Sequence, residues 1–228
     1  MNVLVIDTAT EACSVALQLA DTEYSRFEIC PQQHSQRLLP MIDEVLTEAG
    51  VCISDLDYLA FGQGPGSFTG VRIATGMIQG LALGSGLHVV GVSTLAAMAQ
   101  QAFSQYGDNN IIAATDARMG EVYFGHYAIE NGLAQLQSAE QVLPPETALE
   151  YINNTSLALQ GVGTGWQAYE PLAECNVEQQ SEILYPNALY MLPLALAAIE
   201  QGQAQEVEQI KPVYLRDKVT WKKLPGRE

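Results

Sequence analysis

Short apolar runs alternate with clusters of turn residues along this chain, and two of the runs end in an aspartate. Val3-Leu4-Val5-Ile6 is apolar throughout and predicts a strand buried on both faces. Asp7-Thr8-Ala9-Thr10-Glu11 is rich in residues that bond their own backbone and predicts a turn. The alternation over Cys13–Leu19 predicts the returning strand of a hairpin, and Tyr24–Cys30 a third strand. From His34 or Ser35, apolar residues recur at helical spacing (Leu38, Leu39, Ile42, Val45, Leu46, Ala49) until Gly50 ends the helix. Pro40 is placed near its first turn, where proline costs least. Tyr58–Phe61 and His88–Val92 predict further strands, and Ser93 caps a helix through Leu95, Met98, Ala99, Ala102 and Phe103.

The polar break Tyr106-Gly107-Asp108-Asn109-Asn110 sets a boundary between a first lobe, 1–106, and a second, 107–210. The second lobe opens as the first does. Ile111–Asp116 is an apolar strand ending in Asp, Ala117–Gly120 turns, and Glu121–Tyr127 returns. Asp116 thus answers Asp7, which suggests two related halves. Pro144-Pro145-Glu146 starts a helix through Leu149 and Ile152, Leu157–Leu159 predicts a strand, Gly161–Gly165 a second glycine turn, and Asn187–Ile199 an apolar helix. Pro212–Arg216 closes the ordered part, inside a basic tail spanning 211–228.

Between Phe61 and the next helix lie four glycines and a proline within nine residues, Gly62 to Gly70. Glycine lets a backbone take positive φ or lie close to a ligand or another chain. Thr69 is the expected N-cap, and the free N–H groups after it suit an anion. A Walker A loop is excluded, because no lysine precedes Lys211. The Rossmann spacing fits poorly, and no acidic residue follows at the ribose distance. A tight strand-to-helix turn with close packing is the alternative. The helix beyond carries two apolar stripes: Val71, Ala74, Ile78 and Leu81, and on another side Ile73, Met77, Gly80 and Leu83. A helix apolar nearly all round is buried or covered by a partner. One face is therefore assigned to core and the other to contact, where Gly76 and Gly80 admit a second helix closely.

Charge narrows the function. The net charge is −16. Ten acidic and three basic residues precede Gly107, fourteen acidic and one basic lie in 107–210, and six basic and two acidic lie in 211–228. Nucleic-acid affinity comes largely from Lys and Arg neutralising phosphates, so the body does not grip RNA or DNA by itself. The basic tail is read as a solvated terminus or a contact for phosphate or an acidic partner. Cys13, Cys30, Cys52 and Cys175 are scattered, which excludes a zinc ribbon and a disulfide framework and points to a reducing cytoplasm. No run reaches the length of a membrane span, and Met1-Asn2 leads into a strand with no signal-peptide pattern.

Two strand-led halves, each with Asp in its first hairpin, resemble the actin, hexokinase and Hsp70 superfamily, in which two hairpins hold phosphates and metal between two lobes. The expected fold is therefore α/β: a two-lobe, duplicated actin-like ATPase (ribonuclease H-like) fold, with a mixed sheet and helices on both faces in each lobe. More finely, five blocks resemble the TsaB (YeaZ) family: Asp7–Thr10, Gly64–Arg72, Gly91–Leu95, Asp116–Tyr123 and Pro212–Arg216. The resemblance implies a non-catalytic subunit that forms homodimers or binds a catalytic TsaD-like paralogue through its N-terminal lobe. With a TsaE-like ATPase, that complex threonylcarbamoylates N6 of adenosine 37 in ANN-decoding tRNAs. It implies contact with tRNA only through the complex, and no membrane.

The candidate residues follow. The partner face is assigned to Leu38, Leu39, Ile42, Val71, Ile73, Met77 and Gly80. A vestigial nucleotide cleft is assigned to Asp7, Thr8, Asp116, Arg118 and Gly163. The catalytic relatives carry H-x-x-x-H in the helix after the Gly-Val strand, where this chain has Thr94 and Met98. Neither replaces an imidazole, and His34, His88 and His126 lie far apart in sequence. No catalytic residue and no metal ligand set is assigned. No cofactor is expected on the isolated chain; ATP or ADP with magnesium is placed at a partner joint. Asp7 remains a candidate to hold magnesium through water, although Ala9 stands where the superfamily hairpin has glycine. Arg118, alone among acidic residues in its lobe, is expected to have a specific partner, Asp116 or the cleft. The competing reading is a stand-alone ATP-dependent kinase or hydrolase of the same superfamily.

Overall fold

The computed structural model describes residues 1–216. The first sheet is built from β1 (Val3–Asp7), β2 (Ala12–Leu19), β3 (Thr22–Ile29), β4 (Tyr58–Gly64) and β5 (His88–Ser93). Its order is β3-β2-β1-β4-β5. β1, β2 and β3 pair antiparallel, while β1, β4 and β5 pair parallel. The second sheet holds β6 (Asn110–Asp116), β7 (Val122–Glu130), β8 (Leu133–Leu136), β9 (Gln141–Leu143), β10 (Gln160–Val162) and β11 (Glu178–Gln179). Its order is β11-β10-β6-β7-β8, with β9 added beside β7. β6 therefore occupies the place of β1, β7 of β2, β8 of β3, β10 of β4 and β11 of β5, with the same parallel and antiparallel senses. The central strands are covered on both faces, which is why Val3–Ile6 and Ile111–Ala114 are unbroken apolar runs.

Helices cover both faces of each sheet. α1 (His34–Ala49) and α2 (Phe68–Ser85) close one core of the first lobe, with Leu38, Ile42, Ala74 and Ile78 packed on Leu4, Ile6 and Phe61. The other face is closed by α7 (Ala188–Glu200), whose Met191, Leu192 and Ala195 meet Val3, Val5 and Val90. α3 (Thr94–Tyr106) packs Leu95, Met98 and Ala99 on Ile111, Ala113 and Tyr127 of the second sheet. α4 (Pro145–Asn153), α5 (Gly165–Ala168) and α6 (Glu170–Ala173) cover its far face, around Trp166 and Leu172. The halves thus exchange a helix: α3 leaves the first to complete the second, and α7 returns. Three of these four cores contain residues from both halves, which ties the lobes together; the core around Trp166 belongs to the second half alone.

Several local expectations change. Pro40 lies beyond the first turn of α1, on its exposed side, and the helix continues through it. The cap of α2 is Ser67, whose hydroxyl accepts from Gly70 N, rather than Thr69. Leu157–Leu159 is irregular, and the strand begins one residue later at Gln160. The tail is not loose at its start: Val213 N donates to Gln63 O at 2.7 Å, which lays residues 211–216 along the end of β4. Its remainder, including Lys218, Lys222, Lys223 and Arg227, lies outside the described residues.

Candidate functional site

The glycine turn packs on the first hairpin. A Cβ at Gly70 would stand 2.1 Å from Thr8 O, and one at Gly66 2.4 Å from Ala9 O. Only glycine lets the two backbones lie this close. Ser67 N donates to Ala9 O at 2.7 Å, and Thr8 Oγ1 donates to Gly70 O at 2.7 Å. Asp7 lies beneath this contact, fully buried, with Oδ1 turned toward Gly62, where a Cβ would stand 1.9 Å away. Asp7 Oδ2 accepts from Ala9 N at 3.3 Å, while Oδ1 has no partner among the described residues. Burial pushes the Asp7 carboxyl up to about 7, against the pull of the Ala9 and Thr8 amides. The two residues assigned to a nucleotide cleft in this lobe, Asp7 and Thr8, are thus sealed from it by the glycine turn.

A cleft of about 590 Å³ does lie between the lobes. Asp116 and Arg118 line it, together with Glu11, His34, Ser67 and Thr164. Arg118 reaches Asp116 at 2.9 Å and Glu11 of the other hairpin at 2.9 Å, so its guanidinium joins the two lobes. Arg118 is 72% exposed, and a pair that open contributes little to stability, about 0–1 kcal/mol. Arg118 and Met119 both hold positive φ, at 64° and 57°, unusual for residues other than glycine. Asp116 is held more firmly: its amide donates to Thr164 Oγ1 at 3.0 Å, and Tyr169 OH donates to its Oδ1 at 2.8 Å. Burial, and then the bond to Asp116, push the Tyr169 phenol up to about 12. Gly163, assigned to the cleft, is instead buried against β6, where a Cβ would meet Ala114 O at 2.3 Å; Thr164 takes its place at the wall.

The tail forms the third wall. Arg216 donates to Ala117 O at 3.0 Å and Arg118 O at 3.3 Å, and pairs with Glu121. Arg72 lies with its guanidinium carbon 3.3 Å from the Phe68 ring centre, and its Nε donates to Tyr214 OH at 2.8 Å. Residues 211–216 thus strap α2 and β4 to the second hairpin turn. Glu11, Glu121, Thr164, Tyr169, Tyr214 and Arg216 were not singled out as site residues in the sequence. The Pro212–Arg216 block was visible there, but nothing local told where it returned.

α2 divides its stripes. Val71, Ala74 and Ile78 are core, whereas Gly76, Gly80, Leu83 and Gly84 are exposed and Ile73 and Met77 half-buried. Among the described residues, no atom outside the helix's own neighbouring backbone lies within 4 Å of a Cβ built at Gly76, Gly80 or Gly84. Of the seven residues assigned to the partner face, Leu38, Ile42 and Val71 are therefore corrected to core; Leu39, Ile73, Met77 and Gly80 are left at the surface. A pattern apolar on two sides does not say which stripe faces in.

The positions of the missing imidazoles are occupied by structure. Thr94 Oγ1 donates to Pro65 O at 2.6 Å, tying α3 to the glycine turn, and Met98 is buried in the second core. The histidines remain apart: His34 begins α1, exposed His88 pairs with Glu206 at 3.6 Å, and buried His126 bonds Tyr151 OH through Nδ1 at 2.8 Å. Burial pulls the His126 pKa below its usual value. Among the described residues no three His, Cys, Asp or Glu side chains gather as a metal set. No described helix is long and apolar enough to cross a membrane.

Two sheets of one topology, each led by an Asp-ended hairpin and facing a common cleft, place the chain in the duplicated actin-like ATPase class. Residues 26–223 match the family described as "TsaD: tRNA N6-adenosine threonylcarbamoyltransferase". The chain is 49% identical to the "tRNA threonylcarbamoyladenosine biosynthesis protein TsaB" of Escherichia coli (strain K12), over 100% of both chains. It is 45% identical to the protein of the same description from Haemophilus influenzae, over 100% of this chain and 99% of that one. The solved structure "YeaZ from Pseudomonas aeruginosa" superposes with a TM-score of 0.86 at 44% identity, covering 94% of this chain and 99% of that one. The chain belongs to the TsaB (YeaZ) family, within the wider TsaD family.

Proposed function

We propose that this chain serves tRNA threonylcarbamoyladenosine biosynthesis in the cytoplasm as a non-catalytic subunit that docks a catalytic TsaD-like paralogue. The observation that carries the reading is the outer face of α2. In a strongly acidic chain it presents Ile73, Met77, Gly80 and Leu83 with no acidic residue on the helix, and its glycines leave room for a second helix. Gly76, Gly80 and Gly84 at the surface of a helix cost stability without packing on anything among the described residues. In the absence of the paralogue the same face pairs two copies of this chain. A TsaE-like ATPase joins the assembled complex, and ATP or ADP with magnesium belongs at the joint between subunits.

The lack of catalysis by the isolated chain is supported by Thr94 and Met98 where the catalytic relatives carry histidines, and by the sealed Asp7. A phosphate seeking the first hairpin meets Gly66, Ser67 and Gly70 already seated on it. Met77→Asp tests the docking face. Met77 is half-buried against the first core, so the variant melts somewhat below wild type but still folds, and its association with the paralogue is lost; an unchanged complex mass contradicts the reading. Calorimetry of the pure chain against ATP and magnesium gives no heat of binding. A measurable site there restores the kinase or hydrolase reading.

A further inference from the structure

We propose that the cleft between the lobes binds a small organic carboxylate. Its oxygens are received by the first residues of α1 and α2 and by the hydroxyls around them, and its apolar body rests on Phe68, Met119 and Tyr214. The site belongs to the chain alone and does not depend on the docking of a paralogue.

The uncommitted polar groups of the cleft are donors. His34 and Phe68 are the first residues of α1 and α2, helices of 16 and 18 residues, and both line the cleft. Neither amide has an acceptor among the described residues. Gln33 gives α1 no side-chain cap, and neither helix carries an acidic residue in its first turn. The partial positive charge of both helix ends is therefore not cancelled from within. Water satisfies many such ends; the imidazole of His34 sets this one apart. His34 lines the cleft while only 8% exposed, and its Nε2 is buried with no partner among the described residues. A buried polar atom without its hydrogen bond costs stability, and a ligand oxygen removes that cost.

The hydroxyls agree. Thr10 Oγ1 accepts from Ala12 N at 3.3 Å, Ser67 Oγ from Gly70 N at 3.3 Å and Thr164 Oγ1 from Asp116 N at 3.0 Å. All three line the cleft, and each, having used a lone pair on the backbone, keeps its proton for another acceptor. The nearest carboxylates, Glu11 and Asp116, are engaged by Arg118 instead.

Charge selects the class of anion. The charged residues of the lining are Glu11, Asp116, Arg118 and Arg216, which sum to zero, and Arg216 is paired with Glu121. In a chain of −16, no cation of the lining is left for the second charge of a phosphate monoester. A carboxylate carries one charge, which N–H and O–H dipoles can meet. Exposed Phe68, Met119 and Tyr214 supply the apolar wall, and about 590 Å³ is ample for a small ligand.

The test titrates the full chain, without a paralogue, with hydrocinnamate and follows amide proton–nitrogen correlation spectra. Saturable shifts are expected at the His34 and Phe68 amides at millimolar ligand. The neutral isostere hydrocinnamamide gives none, and phenyl phosphate binds more weakly than hydrocinnamate. In His34→Phe and, separately, in Thr10→Val, hydrocinnamate affinity falls about tenfold or more, the worth of one hydrogen bond to a charged group. Shifts that do not saturate, or that hydrocinnamamide reproduces, overturn the inference. Tighter binding of phenyl phosphate overturns it in favour of a phosphate site. Wild-type affinity in both variants places the ligand elsewhere and overturns it as well. If His34→Phe does not fold, Thr10→Val decides. None of these outcomes bears on assembly with the paralogue, which light scattering reads independently.

Discussion

Two alanine substitutions in one helix are expected to move stability in opposite directions. In Gly70→Ala the new Cβ would stand 2.1 Å from Thr8 O, with Thr8 C at 3.2 Å. Carbon contacts are comfortable near 3.5–4 Å, so the hairpin and the glycine turn must part by more than about 1 Å. Neither side is the end of a flexible side chain; both are backbone. Parting them weakens the Thr8 Oγ1–Gly70 O and Ser67 N–Ala9 O bonds, both 2.7 Å. Overpacking costs about 1–3 kcal/mol and each broken bond about 0.5–1.5 kcal/mol, while alanine returns about 0.5–1 kcal/mol of helix propensity. The net loss is about 2–4 kcal/mol, or roughly 5–15 °C in Tm at about 2–4 °C per kcal/mol for a chain of this size. Gly76→Ala meets nothing within 4 Å among the described residues, so only the propensity gain remains: about 0.5–1 kcal/mol and a Tm higher by about 1–4 °C. Differential scanning calorimetry of both variants decides it. Equal shifts, or a Gly70→Ala Tm within 1–2 °C of wild type (about 0.5 kcal/mol), refute the claim that the turn is packed on the hairpin.

Other outcomes follow from the same geometry. Asp7 carries a carboxyl moved from 3.8 to about 7, so between those values the folded state holds a proton that the unfolded state has released. Its contribution to stability is present in full below about pH 4 and is lost as pH rises through 7, by up to about 4 kcal/mol. Asp7→Asn removes that dependence, so its Tm relative to wild type is higher at pH 8 than at pH 4; an equal difference at both pH values contradicts it. Arg216→Ala leaves Glu121 and two carbonyls of the second hairpin turn without their donor. Faster amide exchange is expected across Asp116–Val122, with exchange in β1 unchanged; uniform exchange speaks against the strap. Arg118→Ala, which removes a largely exposed guanidinium, is expected to lower Tm by less than about 3 °C.

Much of the architecture was legible because its signals are local. The apolar runs ending at Asp7 and Asp116, the returning strands, and the cap at Ser93 each follow from a few adjacent residues. The duplication was visible as two Asp-ended hairpins, and strand order makes it a full topological repeat. The short strands β8, β9 and β11 were not legible, since two to four residues carry too little periodicity and pair only where a neighbour supplies the edge. The site was legible as a list of residue types rather than as a place. Asp7 suited a phosphate hairpin by position, but its depth depends on Gly62 and Gly66, which come from another strand and its turn. Arg118 was legible as a cation needing a partner, and it found Asp116 nearby and Glu11 across the cleft. The second of these, like the return of Arg216 to the Ala117 carbonyl, exists only through the tertiary fold. On α2 both stripes were legible, and only packing showed which one faces in.

The measurement that bears most directly on the scaffold reading is molecular mass by light scattering, for the chain alone and mixed with its TsaD-like paralogue. The account predicts a self-associated species alone that is replaced, on mixing, by a heteromeric complex, and that Met77→Asp prevents both. A chain that stays monomeric and ignores the paralogue contradicts it, and returns attention to the cleft between the lobes.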